Sequence, residues 1–271
     1  MTRLEAALDD LRSLDALASR DTALARRDPR AKVLVTLLFI VTVLSFDRYR
    51  VAALLPLALF PCVQAAQGEM PARMLLRTLW LASPFAMLVG IFNPFFDREP
   101  MLVLAGVSIS AGWVSFAAIL VRFALTVGAA LVLAAGTGMH PLCAALARLG
   151  VPRVFTVQLL FLHRYLFVLA GEATRLATAR RLRSGDHVAP MGLAVYASLL
   201  GHLLLRTFDR AQRIHLAMLA RGFDGELRLA DCWLWQRADT LFLGAWCTFF
   251  VCVRTVDLPN VIGLWLAGAV R

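Results

Sequence analysis

The feature that most limits what this chain can become is a succession of apolar stretches without a charged residue, at 33–46, 51–66, 79–92, 101–121, 123–137 and 240–253. Each is near the length a helix needs to cross bilayer hydrocarbon at about 1.5 Å per residue. Hydrophobic residues make up 60% of the 271 and charged ones 17%, with mean hydropathy +0.71. Those shares lie outside the range of soluble domains. Period-two alternation is absent, which argues against a barrel. The expected fold class is an all-α integral membrane protein.

The first apolar stretch follows about thirty polar residues that include Arg26, Arg27, Arg30 and Lys32, so a cleavable signal is not expected. These charges are expected to stay in the cytoplasm. Cys62, Cys143, Cys232, Cys247 and Cys252 are odd in number and form no C-x-x-C pair. That argues against a disulfide framework or a zinc site and suits small apolar packing residues. The net charge of +10 comes without a nucleic-acid motif, and its basic residues lie between apolar runs. Membrane topology explains them, and no nucleic-acid partner is expected.

Threading from inside, 31–46 goes out, Asp47 to Arg50 turn, and 51–66 returns to a basic loop holding Arg73 and Arg77. The stretch 78–92 goes out to a loop of Asn93, Pro94, Asp97, Arg98, Glu99 and Pro100, which has turn chemistry. The stretch 101–137 is too long for one span, so it holds two spans or one preceded by a re-entrant or interfacial piece. Two would place the thirteen Arg of 138–238 outside, against the positive-inside bias. One span near 112–137 is therefore preferred. The apolar stretches 154–170 and 188–205 are kept inside as well, since exporting them would export Arg175, Arg180, Arg181 and Arg183. This leaves 22 Lys and Arg cytoplasmic, four outside (Arg48, Arg50, Arg98, Arg271) and two within spans (Arg122, Arg254). The expected organisation is a cytoplasmic segment 1–30, four spans in 31–137, a cytoplasmic helical domain 138–238, and a last span with a short external tail in 239–271.

Catalysis on this chain is not expected. Asp239, at one edge, is the only acidic residue in the spans, whereas carriers and pumps keep ionisable groups at depth. His140, His163, His202 and His215 show neither a partner carboxylate nor H-x-x-x-H spacing, so neither a metal site nor a general-base pair is supported. Lys32 is the only lysine, which rules out a G-x-x-x-x-G-K-[ST] phosphate loop. ATP hydrolysis, where needed, falls to another polypeptide.

Two long helices are expected between the fourth and last spans, one from about Val154 to Arg183 and one from Pro190 to Ala220. On the second, Arg206, Arg210, Arg213 and Arg221 fall within an arc of roughly 80° at 100° per residue. Both end in Arg followed closely by Gly, at Gly185 and Gly222. Taken singly, each end is a macrodipole-complementing cap with a left-handed glycine. Two such ends in one cytoplasmic segment point further, to ends that dock in acidic grooves of a partner.

Here the chain resembles the transmembrane coupling (T) component of energy-coupling factor transporters, in the cobalt-type CbiQ branch of the EcfT family. Asp28-Pro29-Arg30-Ala31-Lys32 resembles the signature leading into the first span, with Asp28, Pro29 and Lys32 as a structural motif. Ala220-Arg221-Gly222 resembles the second Ala-Arg-Gly motif. The first falls on Leu182-Arg183-Ser184, with Leu in place of Ala, and Arg180 or Arg181 could share its role. His140-Pro141 through Val151-Pro152 resembles the short coupling helix, and Arg164-Tyr165 with Glu172 the start of the long one.

The resemblance implies a multi-pass protein of the bacterial inner membrane with a cytoplasmic N-terminus. By the same resemblance it would clasp a CbiM-like substrate-binding membrane subunit, with room for a small accessory membrane subunit. Arg183, Ser184, Ala220, Arg221 and Gly222 would couple it to an ATP-binding cassette ATPase dimer, which alone binds ATP and magnesium. Cobalt is the implied substrate, with nickel or a vitamin as alternatives. Other classes remain open: a secondary permease, which would show inverted repeats and broken helices around buried ionisable groups, an intramembrane enzyme, or a scaffold. Arg122 is the one deeply placed charge, with no partner visible in the sequence.

Overall fold

The computed structural model describes residues 13, 15–47, 51–96, 100–104, 107–184, 192–225 and 234–255, with the side chains of 95–96, 100–109, 181 and 184 left aside. Expectations for Arg48, Arg50, Asp97, Arg98, Glu99, Gly185, Asp186, Pro190, Cys232 and the tail from Asp257 lie outside the described residues.

Along the chain the helices are α1 (Pro29–Leu44), α2 (Val51–Leu54), a 3-10 turn (Leu55–Ala58), α3 (Leu59–Gln67), α4 (Ala72–Gly90) and α5 (Asn93–Phe96). After a strand pair come α6 (Ala111–Thr137), α7 (Met139–Arg148), α8 (Arg153–Ser184), α9 (Leu193–Leu219) and α10 (Arg237–Thr255). The spanning architecture is all-α. The strands, β1 (Pro100–Leu104) and β2 (Val107–Ser110), form a short antiparallel hairpin before α6, with Val103 opposite Ser108. One continuous helix follows over 111–137. Asn93 and Pro94, read as loop from sequence, begin the single turn α5, because proline fits the first turn of a helix.

Among the described residues four stretches are long and apolar enough to cross a membrane: α4, α6, Arg153–Arg180 of α8, and α10. Helix α1, at 16 residues, is shorter than the roughly 20 that span hydrocarbon untilted. The stretch 51–67 is broken by the 3-10 turn at Pro56.

The chain forms two compact units, Ala16–Gly138 with Cys232–Arg271, and Met1–Asp15 with Met139–Asp231. In the first, α6 is the central post, contacted by α1, α3, α4 and α5. Phe39 of α1, Phe60 of α3 and Trp246 and Phe250 of α10 join in one aromatic cluster, with ring centroids 4.6 Å apart for Phe39–Phe60 and 4.9 Å for Phe60–Trp246. Lipid tails are as apolar as these rings, so close packing and ring geometry hold the helices together rather than escape from water.

The helix α4 follows the same logic. Its large residues, Trp80, Leu81, Phe85 and Leu88, are exposed, while only Ala86 and Gly90 are buried. A small residue allows close approach to α6, and a Cβ at Gly90 would stand 2.7 Å from Cδ2 of Phe116. Asn93 Nδ2 adds a 3.0 Å hydrogen bond to Ser115 Oγ. Hydroxyls such as Thr42 and Thr248 bond back within their own helices, to Leu38 O and Gly244 O, which satisfies these donors without water.

Gly90→Ala is expected to lower the thermal unfolding midpoint in detergent, read by helical circular dichroism, by the equivalent of about 1–3 kcal/mol for overpacking. Gly128→Ala, with no atom within 4 Å of the added carbon, is expected to hold or raise it by up to about 1 kcal/mol.

Candidate functional site

A polar knot joins the start of α1, the end of α6 and the start of α10. Asp28 caps α1, its Oδ1 accepting from Arg30 N at 2.8 Å, with Pro29 in the first turn. Asp239, three residues past Gln236, accepts from Gln236 N at 3.0 Å through Oδ2, as the acidic member of a capping box does. Its Oδ1 accepts from Asp28 N at 3.1 Å. Arg27 Nη1 donates to Ala238 O at 2.7 Å and lies over the Phe242 ring. Lys32 is 4% exposed. Its Nζ donates to Gly136 O at 3.4 Å, in the field of Asp28 and Asp239.

Buried charge of this kind is stable only as a set, because one member left alone carries its full desolvation penalty. The knot sits beside Gly138, whose φ of +77° and ψ of 161° lie in a region open essentially to glycine. That residue carries the chain from α6 into α7.

At the far end of α1, Arg122 Nη2 donates to Phe46 O at 2.7 Å, and Arg254 donates to Ser45 O and Oγ at 3.3 Å each. The deeply placed Arg122, without a visible partner in the sequence, thus caps a helix C-terminus, where free carbonyls favour a cation.

In the second unit, Arg183 is exposed in the last turn of α8, before Ser184. Arg180, one turn back, has interactions of its own. The side chain of Arg181 lies outside the described residues. At the end of α9, Gly222 has φ +79°. Phe223 N donates to Met218 O and Gly222 N to Leu219 O, both at 3.0 Å. This is the Schellman pattern, so Ala220-Arg221-Gly222 is a built helix terminus with Arg221 exposed on it. Among the described residues no ion pair or side-chain hydrogen bond holds the guanidinium of Arg183 or Arg221. The structure does not bring the two together, each standing at the end of its own helix.

Between these ends, Glu172 of α8 lies 3.9 Å from Arg175 Nη1, 3.8 Å from Arg206 Nη1 and 3.8 Å from Arg210 Nη1. Its tie to α9 was missed from sequence, although the arginine stripe of α9 and the i,i+3 partner Arg175 were visible. His163 also differs from expectation. Its Nε2 is 3.1 Å from Asp15 Oδ2, a carboxylate 148 positions away that local spacing does not disclose. Among the described residues no three His, Cys, Asp or Glu side chains gather as a metal site would need. Cys143 of α7 is buried, which pushes its thiol up to about 11.

A multi-pass helical membrane protein with a buried ionic knot and exposed arginine-tipped helices is the class these features define. The family described as CbiQ, cobalt transport protein, matches residues 21–230, and the chain belongs to that family. It is 31% identical over 161 residues to the cobalt transport protein CbiQ of Salmonella typhimurium, covering 55% of this chain and 72% of that one. The Rhodobacter capsulatus cobalt transport protein CbiQ is 35% identical over 97 residues, 36% of this chain and 40% of its own length. A protein of Methanocorpusculum labreanum described as a fused cobalt transport protein CbiMQ is 27% identical over 95 residues, 35% of this chain and 16% of its length.

Two tests follow from the site. Lys32→Met removes the buried cation near Asp28 and Asp239 and its bond to Gly136 O, and is expected to destabilise the chain by about 2 kcal/mol in thermal unfolding. Cys143, fully buried and with burial lowering its thiolate fraction further, is expected to resist maleimide at pH 7.5 in the folded chain and to react after denaturation in SDS.

Proposed function

We propose that this chain is the membrane coupling subunit of an ATP-driven uptake transporter of the energy-coupling factor type, with cobalt as its substrate. The observation that carries the reading is the pair of exposed arginines, Arg183 and Arg221, each at the end of a long helix. A planar guanidinium fork on a rigid rod suits charge-assisted, bidentate hydrogen bonds to acidic grooves. Glycine at +79° behind Arg221 turns the backbone away and leaves that fork presented.

In this reading the two ends seat in an ATP-binding cassette ATPase dimer that holds ATP and magnesium. Closure of the dimer moves α8 and α9, and the movement passes to a separate substrate-binding membrane subunit. A fused CbiMQ relative supports a CbiM-like partner. Charge bookkeeping supports a cytoplasmic N-terminus and a cytoplasmic α8, although α8 is apolar enough to span. The membrane is the bacterial inner membrane.

The test is purification of the tagged chain from its native host in mild detergent, beside an Arg183→Glu, Arg221→Glu variant. An ATPase and a small membrane protein are expected with the wild type. In the variant, uptake should fall by about tenfold or more, the effect of turning charge-assisted pairs into repulsions. A chain that purifies alone in both forms would sink the reading in favour of a permease or an enzyme.

A further inference from the structure

Glu172 lies midway along α8, and within 4 Å of one carboxylate stand guanidinium groups from its own helix, Arg175, and from α9, Arg206 and Arg210. Its side chain is 23% exposed, against 63% and 46% for Arg206 and Arg210. The carboxylate is therefore the sheltered centre of the contact. On one side of it, Gln158, Phe161, Tyr165 and Leu169 of α8 face Ile214 and Met218 of α9 across a groove of about 310 Å³. Residues before 172 on α8 thus lie against residues after 206 on α9, so the two helices pass antiparallel.

Eleven residues separate Glu172 from Arg183, and eleven separate Arg210 from Arg221. At 1.5 Å and 100° per residue, each interval is about 16 Å of helix and returns to within about 20° of the same face. The two arginine ends therefore lie at equal distances from one ionic contact and, because the helices run antiparallel, on opposite sides of it. Helix α9 has no buried residue, and its apolar residues meet those of α8 across a groove. The ionic contact therefore takes a large share in fixing the angle between them.

We infer that Glu172 is a positioning residue, the pivot whose contact with Arg206 and Arg210 sets the separation of Arg183 and Arg221. The inference rests on the coupling function proposed above and deepens it. A lone carboxylate among three guanidiniums suits a pivot, since it can trade partners as the angle changes without losing its charge pairing. An apolar ridge would hold one angle only.

The experiment measures the distance distribution between spin labels at Leu182 and Leu219, both exposed, in the full chain after replacement of its five native cysteines. Glu172→Gln keeps the shape and removes the charge. It is expected to broaden the distribution about twofold and to lower cobalt uptake by about tenfold in cells carrying the whole transporter, with helix content unchanged. The swap Glu172→Arg with Arg206→Glu and Arg210→Glu is expected to restore a narrow distribution and most of the uptake, which a general packing defect would not allow.

An unchanged distribution in Glu172→Gln overturns the pivot, whatever uptake does. Broadening with full uptake overturns its part in coupling. The Arg183→Glu, Arg221→Glu variant measured alongside keeps the two ideas apart. Uptake retained in that variant refutes the coupling function, whereas the distances judge Glu172 alone.

Discussion

Lys32, buried at the start of α1, reaches Gly136 O at 3.4 Å, and the burial of that one cation constrains how the membrane unit can be arranged. It links the first turn of α1 to the last turn of α6, while Asp239 ties the start of α10 to the same place through Asp28 N. Three helix ends are thereby held by groups that have no better partners in a dry environment. A buried ammonium beside two buried carboxylates is costly to assemble and costlier to break. Its value lies in specifying a single arrangement of helices that lipid-soluble packing alone would leave loose. The aromatic cluster of Phe39, Phe60, Trp246 and Phe250 then packs α1, α3 and α10 in a register already decided.

The fold class was legible because lipid imposes a coarse rule, long apolar runs forming helices, and the cores of α1, α4, α6 and α10 follow it, while 101–104 and 107–110 pair as a hairpin instead. The ends of α8 and α9 were legible for a different reason, since arginine and glycine near a helix terminus have local jobs that sequence spacing records. Contacts between distant positions were harder to see. Asp15 and His163, Arg122 and Phe46 O, or Glu172 and the arginines of α9 are joined by tertiary geometry, and nothing in the spacing of either partner announces the other. Local signals also misled at Asn93-Pro94, where turn chemistry and helix-start chemistry use the same residues.

Three kinds of work stand out among the charges of this chain. Asp28, Lys32 and Asp239 are buried and structural. Arg122 and Arg254 satisfy the carbonyls at the end of α1, so a charge at depth here serves a backbone terminus. Arg183 and Arg221 are exposed and are left available. Charges of the last kind can be recognised by a partner without unfolding anything, and these two stand at the ends of two helices.

Helix α9 gives this last point a cellular side. It runs 27 residues without burying one, and Tyr196, Leu200, Leu204, Leu205 and Phe208 stand open along it. An isolated helix draws little stability from propensity alone, so this one borrows its order from whatever covers it. Left uncovered, such a face is an adhesive rod for chaperones and proteases, so the lifetime of this chain depends on how well α9 is covered.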